Sequence, residues 1–385
     1  MPLRWAGAPT LVRIQFDTDI REMVPSGVEN EGGSVPDFRM SPAGWRELHL
    51  FARLAREWDL RFEGLLRQGA IGKWYSAVGN EALTVTVATV LEPGDGLLTL
   101  HRDVGAILRT YLDPRQLFPD RFREVVRPPP SADSQELLYR LACQMLGKAE
   151  GFTGGYDRSY HYSLLREDLG IVHVGMISML GAMIPVAAGV ALAFQQRGSD
   201  RVAVNFIGEG GTSTGDFHEA LNMAAVLRVP LVLIIENNRY AFSTPAAEQY
   251  ASDSLALRGT SYGIPGVQVD GTEPLAVGAA VSEAVVRARC GKGPTLIEAM
   301  LGRMRGHSEG DDSLSFVPEA ERRAYELDDP LAKLERRLIA EGVAREEELL
   351  ELKSDCHDLV LTTVDRALAA PDPSLGAERP LYKHV

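Results

Sequence analysis

Between Arg201 and Asn238 the chain runs through an apolar segment (RVAVNFI), a glycine-rich turn (GEGGTSTG, Gly208 to Gly215), a helical segment (216–227) and a second apolar segment (LVLIIE, 231–236). Two short apolar runs joined through a helix make a βαβ unit, and a crossover of that length returns the chain to the same end of the sheet, so the strands are parallel. Runs that are apolar at every position, rather than at alternate ones, need both faces covered. The alternation continues: 267–269 and 294–301 read as strands and 272–289 as a helix. The expected fold class is α/β, a doubly wound parallel sheet flanked by helices.

The rest of the chain arranges itself around this unit. Residues 1–40 read as an irregular arm, 41–325 as the α/β domain, and 326–385 as a charged helical segment with a tail. Within the domain, 112–135 carries Pro128-Pro129-Pro130 and no clean period, and reads as a loop insertion. Ser41 followed by a proline is a helix-start signal for the segment ending at Gly69. Lys+Arg number 40 and Asp+Glu 53 in 385 residues, a net charge of −13, which gives no global attraction to nucleic acid or anionic lipid. Three dispersed cysteines argue against a disulfide framework or a cysteine zinc site. The first residues lack the apolar core of a secretory signal, and the early acids disfavour a transit peptide, so a cytoplasmic location is expected. Gly175 to Phe194 is free of charge and long enough to cross a bilayer, but its Ala, Gly and Met content and Pro185 favour a closely packed buried helix.

In an open parallel sheet, ligands collect beyond the carboxyl ends of the strands. Glu209 and Asn238 both fall there. Glycines let backbone approach a phosphate, and a helix N-terminus favours an anion. Three readings of the turn stay open on these grounds. A dinucleotide site would use Gly208-x-Gly210-x-x-Ser213 with Glu236 on a ribose, but it sets a bare carboxylate against a pyrophosphate. A divalent cation between Glu209 and a diphosphate removes that conflict, since carboxylate, amide and carbonyl oxygens are hard ligands suited to Mg²⁺. A glycine turn with a solvated glutamate is the third.

Other segments offer further chemistry. Gly302–Phe316 (GRMRGHSEGDDSLSF) follows a strand and holds Arg303 and Arg305, whose planar forks suit phosphate, beside the imidazole of His307. His101-Arg102-Asp103 follows a short apolar run. Ser178 and Leu180 precede the small-residue helix, in which Pro185 and Gly189 lie one turn apart and permit close helix contact. Taken alone, each is equally compatible with an ordinary surface loop, a helix cap or internal packing. The same holds for Trp74, Tyr75, Glu81, Tyr160, His161 and His173.

The stretch GEGGTSTGDFHEALNMAAV…LVLIIENNRYAFSTP resembles the thiamine diphosphate motif, with a Gly-Glu-Gly start and an Asn-Asn end, and Asp216-Phe217-His218-Glu219-Ala220-Leu221-Asn222 resembles the α subunit of the decarboxylating first component of 2-oxo acid dehydrogenase complexes. The resemblance extends from about residue 40 and is strongest over 170–316. It implies a thiamine diphosphate-binding fold, with Mg²⁺ held by Glu209, the side chain of Asn238 and the backbone carbonyl of Tyr240. It places Gly208, Gly210, Gly211, Arg102 and Arg303 at the diphosphate. It brings His101, Ser178, Leu180 and Ala241 to the cofactor or substrate, and makes His307 catalytic. His101 stands where the family has Tyr or Phe. Ser308 stands at the position phosphorylated in mitochondrial members. The implied reaction is decarboxylation of a 2-oxo acid with transfer of the acyl group to a lipoyl-bearing acyltransferase. Glu209, Ser243-Thr244-Pro245, Glu248-Gln249-Tyr250 and Asp311-Asp312 look more like the branched-chain enzymes, acting on acids of the 3-methyl-2-oxobutanoate type, with pyruvate or acetoin as the alternative. A dinucleotide-dependent oxidoreductase and a non-catalytic diphosphate-binding subunit are the readings from other classes. Such enzymes also need a second domain to activate the aminopyrimidine, and too little chain remains to supply it. The expectation is an α subunit completed by a β subunit in an α₂β₂ assembly, with no role for nucleic acid or membrane.

Overall fold

The computed structural model describes residues 38–123, 125–126, 132–308 and 316–374. The expected N-terminal arm therefore lies outside the described residues apart from 38–40, and Asp311-Asp312 lies outside them too. Helix α1 (Pro42–Arg67) begins at its predicted start: Ser41 Oγ accepts from the Gly44 N–H at 3.1 Å, with proline in the first turn. After α2 (Glu81–Val90) and strand β1 (Gly96–Leu98) come α3 (Val104–Tyr111) and α4 (Pro114–Leu117), then α5 (Ser134–Leu146). Among its described residues the stretch 112–135 holds one helical turn, capped by Asp113, before the chain enters α5, which Asp133 caps.

Strands β2 (Leu164–Arg166) and β3 (Ile171–Gly175) precede α6 (Met183–Gln196). Then β4 (Ala203–Gly208), α7 (Gly215–Leu227) and β5 (Leu231–Asn237) form the unit read from the sequence. A small hairpin follows, β6 (Tyr240–Ala241) with β7 (Thr244–Pro245). After the single turn α8 (Arg258–Ser261) come β8 (Gly266–Asp270), α9 (Pro274–Arg289) and β9 (Thr295–Met300). The main sheet is ordered β2-β3-β1-β4-β5-β9-β8, parallel except for β2. From β1 the chain steps to β3 on one side and later to β4 on the other, so the order reverses beside β1, where doubly wound folds open a crevice.

Both faces of the central strands are covered, as their uninterrupted apolar runs require. Val204, Phe206, Val232, Ile234 and Ile297 pack toward Leu83 and Val87 of α2 and Val277 and Val281 of α9. The alternate residues Ile207, Leu233, Ile235 and Leu296 pack with Ile184 of α6 and Phe217 and Leu221 of α7. A third, helical layer is built on α1, whose Phe51, Leu54 and Trp58 share a core with α5 and with the C-terminal helices α11 (Pro330–Ala340) and α12 (Glu346–Leu368). Helix α10 (Glu319–Leu327) leads into them. Cys143 and Cys356 are buried core residues and Cys290 is exposed; all three are free thiols.

The charge-free stretch from Gly175 departs from its expectation in two ways. Residues 177–182 form a surface turn, and α6 itself has 14 residues, short of the roughly 20 needed to span a bilayer. Among the described residues no helix is long and apolar enough to cross a membrane. Nor is α6 buried all round. Ala187, Ala188 and Ala191 face the sheet, whereas Gly189 faces open space and Val186 is exposed.

Tyr160 and His173 are core residues. His173, on β3, lies between Tyr111 OH (2.5 Å) and Thr99 Oγ1 (3.0 Å), and burial pushes its pKa down to about 3. The unfolded chain therefore takes up a proton on this imidazole before the folded chain does. Its contribution is present above the ordinary histidine range and is lost as pH falls below it. Lowering the pH from about 7.5 to about 5.5 should cost about 1.4 kcal/mol through this residue alone. His173→Gln should shrink the difference between the unfolding free energies from urea titrations at the two pH values by that amount.

Candidate functional site

Four segments distant in sequence leave the parallel strands at one edge. His101-Arg102 follows β1, Gly208–Ser213 follows β4, Asn237–Ala241 closes β5, and Leu301–His307 follows β9. The register puts Gly208 beside Glu236 and Asn237 beside Met300, so the three central strands end level with one another.

The glycine turn is a 3₁₀ turn over Glu209–Ser213 that leads into α7. A Cβ built on Gly210 would come within 2.5 Å of the Ala241 Cβ, and one on Gly211 within 2.5 Å of Ile207 Cδ1 and 3.9 Å of the Leu180 Cβ. The two glycines thus let the turn lie against Ala241 and Leu180. Glu209 is 2% exposed, and its Oε1 has no hydrogen-bond partner. Burial raises its pKa, while the charges of Arg303 and Arg102 and the backbone N–H of Asn238 oppose that rise. A buried carboxylate with an unsatisfied oxygen is costly unless a cation completes it.

The two adjacent asparagines have different duties. Asn237 is buried and structural: its Nδ2 donates to Glu298 (2.7 Å) and Tyr250 OH (2.9 Å), and its Oδ1 accepts from the Arg239 N–H (3.0 Å). This fixes a turn in which Arg239 (φ 71°) and Phe242 (φ 57°) adopt left-handed backbone conformations, unusual outside glycine. Asn238 keeps its Oδ1 at the sheet edge, accepting from the Tyr240 N–H at 3.1 Å. The Tyr240 ring is anchored away from the site by Glu321 (3.0 Å).

Arg303 is buried and donates from Nη1 to the Tyr240 carbonyl (2.6 Å) and to Asn238 Oδ1 (3.4 Å). Arg102 donates from Nη2 to the His307 carbonyl (3.1 Å) and to His307 Nδ1 (3.3 Å). That contact makes Nδ1 the acceptor and leaves the ring proton on Nε2. Burial, then Arg102, Arg303 and Lys73, push the His307 pKa down to about 3, so the ring is neutral near pH 7. The structure therefore brings Arg102, Glu209, Gly210, Gly211, Asn238, Tyr240, Ala241, Arg303 and His307 to one place. The oxygens of Glu209, Asn238 and Tyr240 are of the hard type that suits Mg²⁺, and the arginines and glycine turn suit a diphosphate.

His101 stacks on Tyr75 (4.1 Å between centroids), Tyr75 meets His307 edge-on (5.5 Å), and Phe242 lies 5.0 Å from His307. On the other side His101 meets His161 (5.7 Å), and His161 Nε2 lies 2.8 Å from Ser178 Oγ. Tyr75, His101, His161 and Ser178 line a cavity of about 270 Å³. Tyr75, weakly signalled in the sequence, thus belongs to the site wall. Glu81 does not: it is buried, pairs with Arg56 and accepts from the Gly79 N–H. Trp74 also lines that cavity, its indole N–H donating to Asp59 at 3.0 Å. The dinucleotide reading loses its ribose ligand. Glu236 points inward, where it accepts from Asn80 Nδ2 (2.9 Å) and shares a buried site with Asp103, whose carboxyl is held well above the usual range by burial and by Glu236. Asn80 and Asn237 were not legible as site-building residues, because their roles depend on Glu236 and Glu298, far away in sequence.

The asparagine pair separates by mutation. Asn237→Ala should lower unfolding stability by about 2–3 kcal/mol, since it leaves buried partners unpaired, whereas Asn238→Ala should cost under about 1 kcal/mol. Chemical denaturation of the two variants checks this.

The model of the family described as "Dehydrogenase E1 component" matches residues 50–375. Among similar proteins, pyruvate dehydrogenase E1 component subunit alpha from Bacillus subtilis is 31% identical over 362 residues, covering 93% of this chain and 88% of that protein. The protein of the same name from Staphylococcus aureus is 32% identical over 342 residues (87% and 82%), and that from Rhizobium meliloti 29% identical over 355 (91% and 93%). Members of the family are 2-oxo acid dehydrogenase components that depend on thiamine diphosphate, usually with Mg²⁺. With its parallel sheet, its glycine turn and a match running over most of its length, this chain belongs to the dehydrogenase E1 component family.

Proposed function

We propose that this chain is the α subunit of a pyruvate-type 2-oxo acid dehydrogenase, working with a β subunit and passing the acyl group to a lipoyl-bearing acyltransferase. The observation that carries the reading is the buried Glu209 carboxylate, unsatisfied at one oxygen and grouped with Asn238, the Tyr240 carbonyl and two arginines beside the glycine turn. Glu209, Asn238 and the Tyr240 carbonyl would hold Mg²⁺. Gly208, Gly210 and Gly211 would lie along the diphosphate, with Arg102 and Arg303 donating to it. Thiamine diphosphate, when bound, supplies the carbanion and the electron sink that decarboxylation needs. His307 holds its proton at Nε2, fixed in that tautomer by Arg102, and so donates to an oxygen placed before it.

The names of the three relatives favour pyruvate over the branched-chain acids that the sequence motifs had suggested. Of those motifs Glu209 would serve the metal in either reading, and a methylene or two is worth only about 1–3 kcal/mol of discrimination. A β partner is supported by what the site leaves uncovered. Met179 is 70% and Leu180 62% exposed, with Ile177 and Phe242 exposed beside the site. Val186 of α6 and Met223 and Val226 of α7 add to the apolar surface.

Three measurements test the reading. Glu209→Gln removes a buried charge, so the cofactor-free protein should melt at the same temperature or higher, while the stabilisation by Mg²⁺ and thiamine diphosphate together should vanish. Retained stabilisation would remove Glu209 from the metal site. With the β subunit and an artificial electron acceptor, kcat/KM for pyruvate should exceed that for 3-methyl-2-oxobutanoate by about tenfold or more. The reverse order would restore the branched-chain reading, and His307→Ala with undiminished acyl transfer would deny that residue its role.

A further inference from the structure

Arg303 contacts more than one oxygen of this site. Its Nη1 sits between the Tyr240 carbonyl oxygen (2.6 Å) and Asn238 Oδ1 (3.4 Å). These are two of the three oxygens assigned above to the metal. The third belongs to Glu209, and Arg303 is the foremost charge acting on that carboxylate. Both side chains are buried, so water screens their interaction poorly. Phe316 stands 6.0 Å from the guanidinium carbon, a distance at which a cation–π contact helps to hold the arginine in place. The three oxygens thus already face a cation that belongs to the chain.

We infer that Arg303 is the resident cation of the metal site, competing with Mg²⁺ for the Tyr240 and Asn238 oxygens until a diphosphate draws the guanidinium onto itself. The inference rests on the metal-ligand reading of Glu209, Asn238 and Tyr240. A divalent ion at the ligand distance of about 2.1 Å from both oxygens would crowd the guanidinium nitrogen that bridges them. Two cations sharing the same pair of oxygens repel, so one must leave. A diphosphate offers the fork of Arg303 a better, bidentate partner, and its departure frees both oxygens for the metal. Metal and diphosphate then bind cooperatively through the arginine, beyond their direct attraction, and by linkage the coupling acts equally in both directions.

The device also relieves a burial problem. A deeply buried glutamate beside a carbonyl and an amide oxygen would be a concentration of negative potential in a dry pocket. The arginine offsets it, and the same side chain then serves the diphosphate when that charge arrives.

Mn²⁺, which reports its binding by electron paramagnetic resonance, separates this role from simple diphosphate binding. The measurement uses the α–β assembly stripped of cofactor, with inorganic pyrophosphate as the second ligand. Arg303→Met should bind Mn²⁺ alone about tenfold more tightly than the wild type, bind pyrophosphate more weakly, and lose most of the mutual enhancement between the two. If Arg303→Met does not fold, Arg303→Gln, which removes the charge while keeping a donor, is read in the same way. Glu209→Gln is the control, and should abolish Mn²⁺ binding in either background. Mn²⁺ affinity that is unchanged or weaker without Arg303, while Glu209→Gln still abolishes binding, overturns the competition. Mn²⁺ binding that survives Glu209→Gln overturns instead the ligand assignment on which it rests.

Discussion

The parallel ladder β1-β4-β5-β9 is the constraint from which the site follows. Each strand carries its chain in the same direction, so each releases its next segment at the same edge. Reversing any one of these strands would send Arg102, Glu209, Asn238 or Arg303 to the opposite end of the sheet. The ladder is held by its two covered faces. Alternate residues of β4 and β5 meet α2 and α9 on one side and α6 and α7 on the other, so no strand can slip by one residue without exchanging two filled cores. Precision at the site is thus inherited from packing well below it.

Electrostatics at that edge runs against the character of the whole chain. The net charge is −13, yet His101 and His307 are both pushed down to about 3, by burial first and then by His161 and Arg102 for His101 and by Arg102, Arg303 and Lys73 for His307. Arg102, Arg303 and Lys73 concentrate positive potential in a partly dry crevice. An acidic surface elsewhere leaves this edge as a local destination for an anion. Within it the buried Glu209 carboxylate places a negative charge beside these cations.

Local backbone strain is spent in the same place. Arg239 and Phe242 take left-handed conformations on either side of Tyr240, and Asn237 holds the turn through Glu298 and Tyr250. The result is that the Tyr240 carbonyl points into the site while its ring is tied to Glu321 on α10. The apolar rim around Leu180 and Phe242 stays exposed. That is the surface expected of a site finished by another chain.

Sequence alone determined the parallel α/β architecture, because uninterrupted apolar runs separated by helical periods admit few other packings. It also offered the glycine turn, Asn238 and the Arg303–His307 segment as candidates for phosphate, metal and proton chemistry, although the family resemblance, rather than residue type, chose among their open readings. Their individual duties were decided by tertiary structure. Nothing in the order of letters ties Asn237 to Glu298 and Tyr250, or turns Glu236 inward to Asp103 while Glu209 faces the crevice. The small-residue helix was read as buried, but one of its faces is open, because its neighbours cover only the side toward the sheet. Nor could spacing show that Arg303, 63 residues after Tyr240, lies on that residue's carbonyl. Periodicity is a local property and survives in the sequence, whereas the direction in which a polar side chain points depends on partners that only the folded sheet brings together.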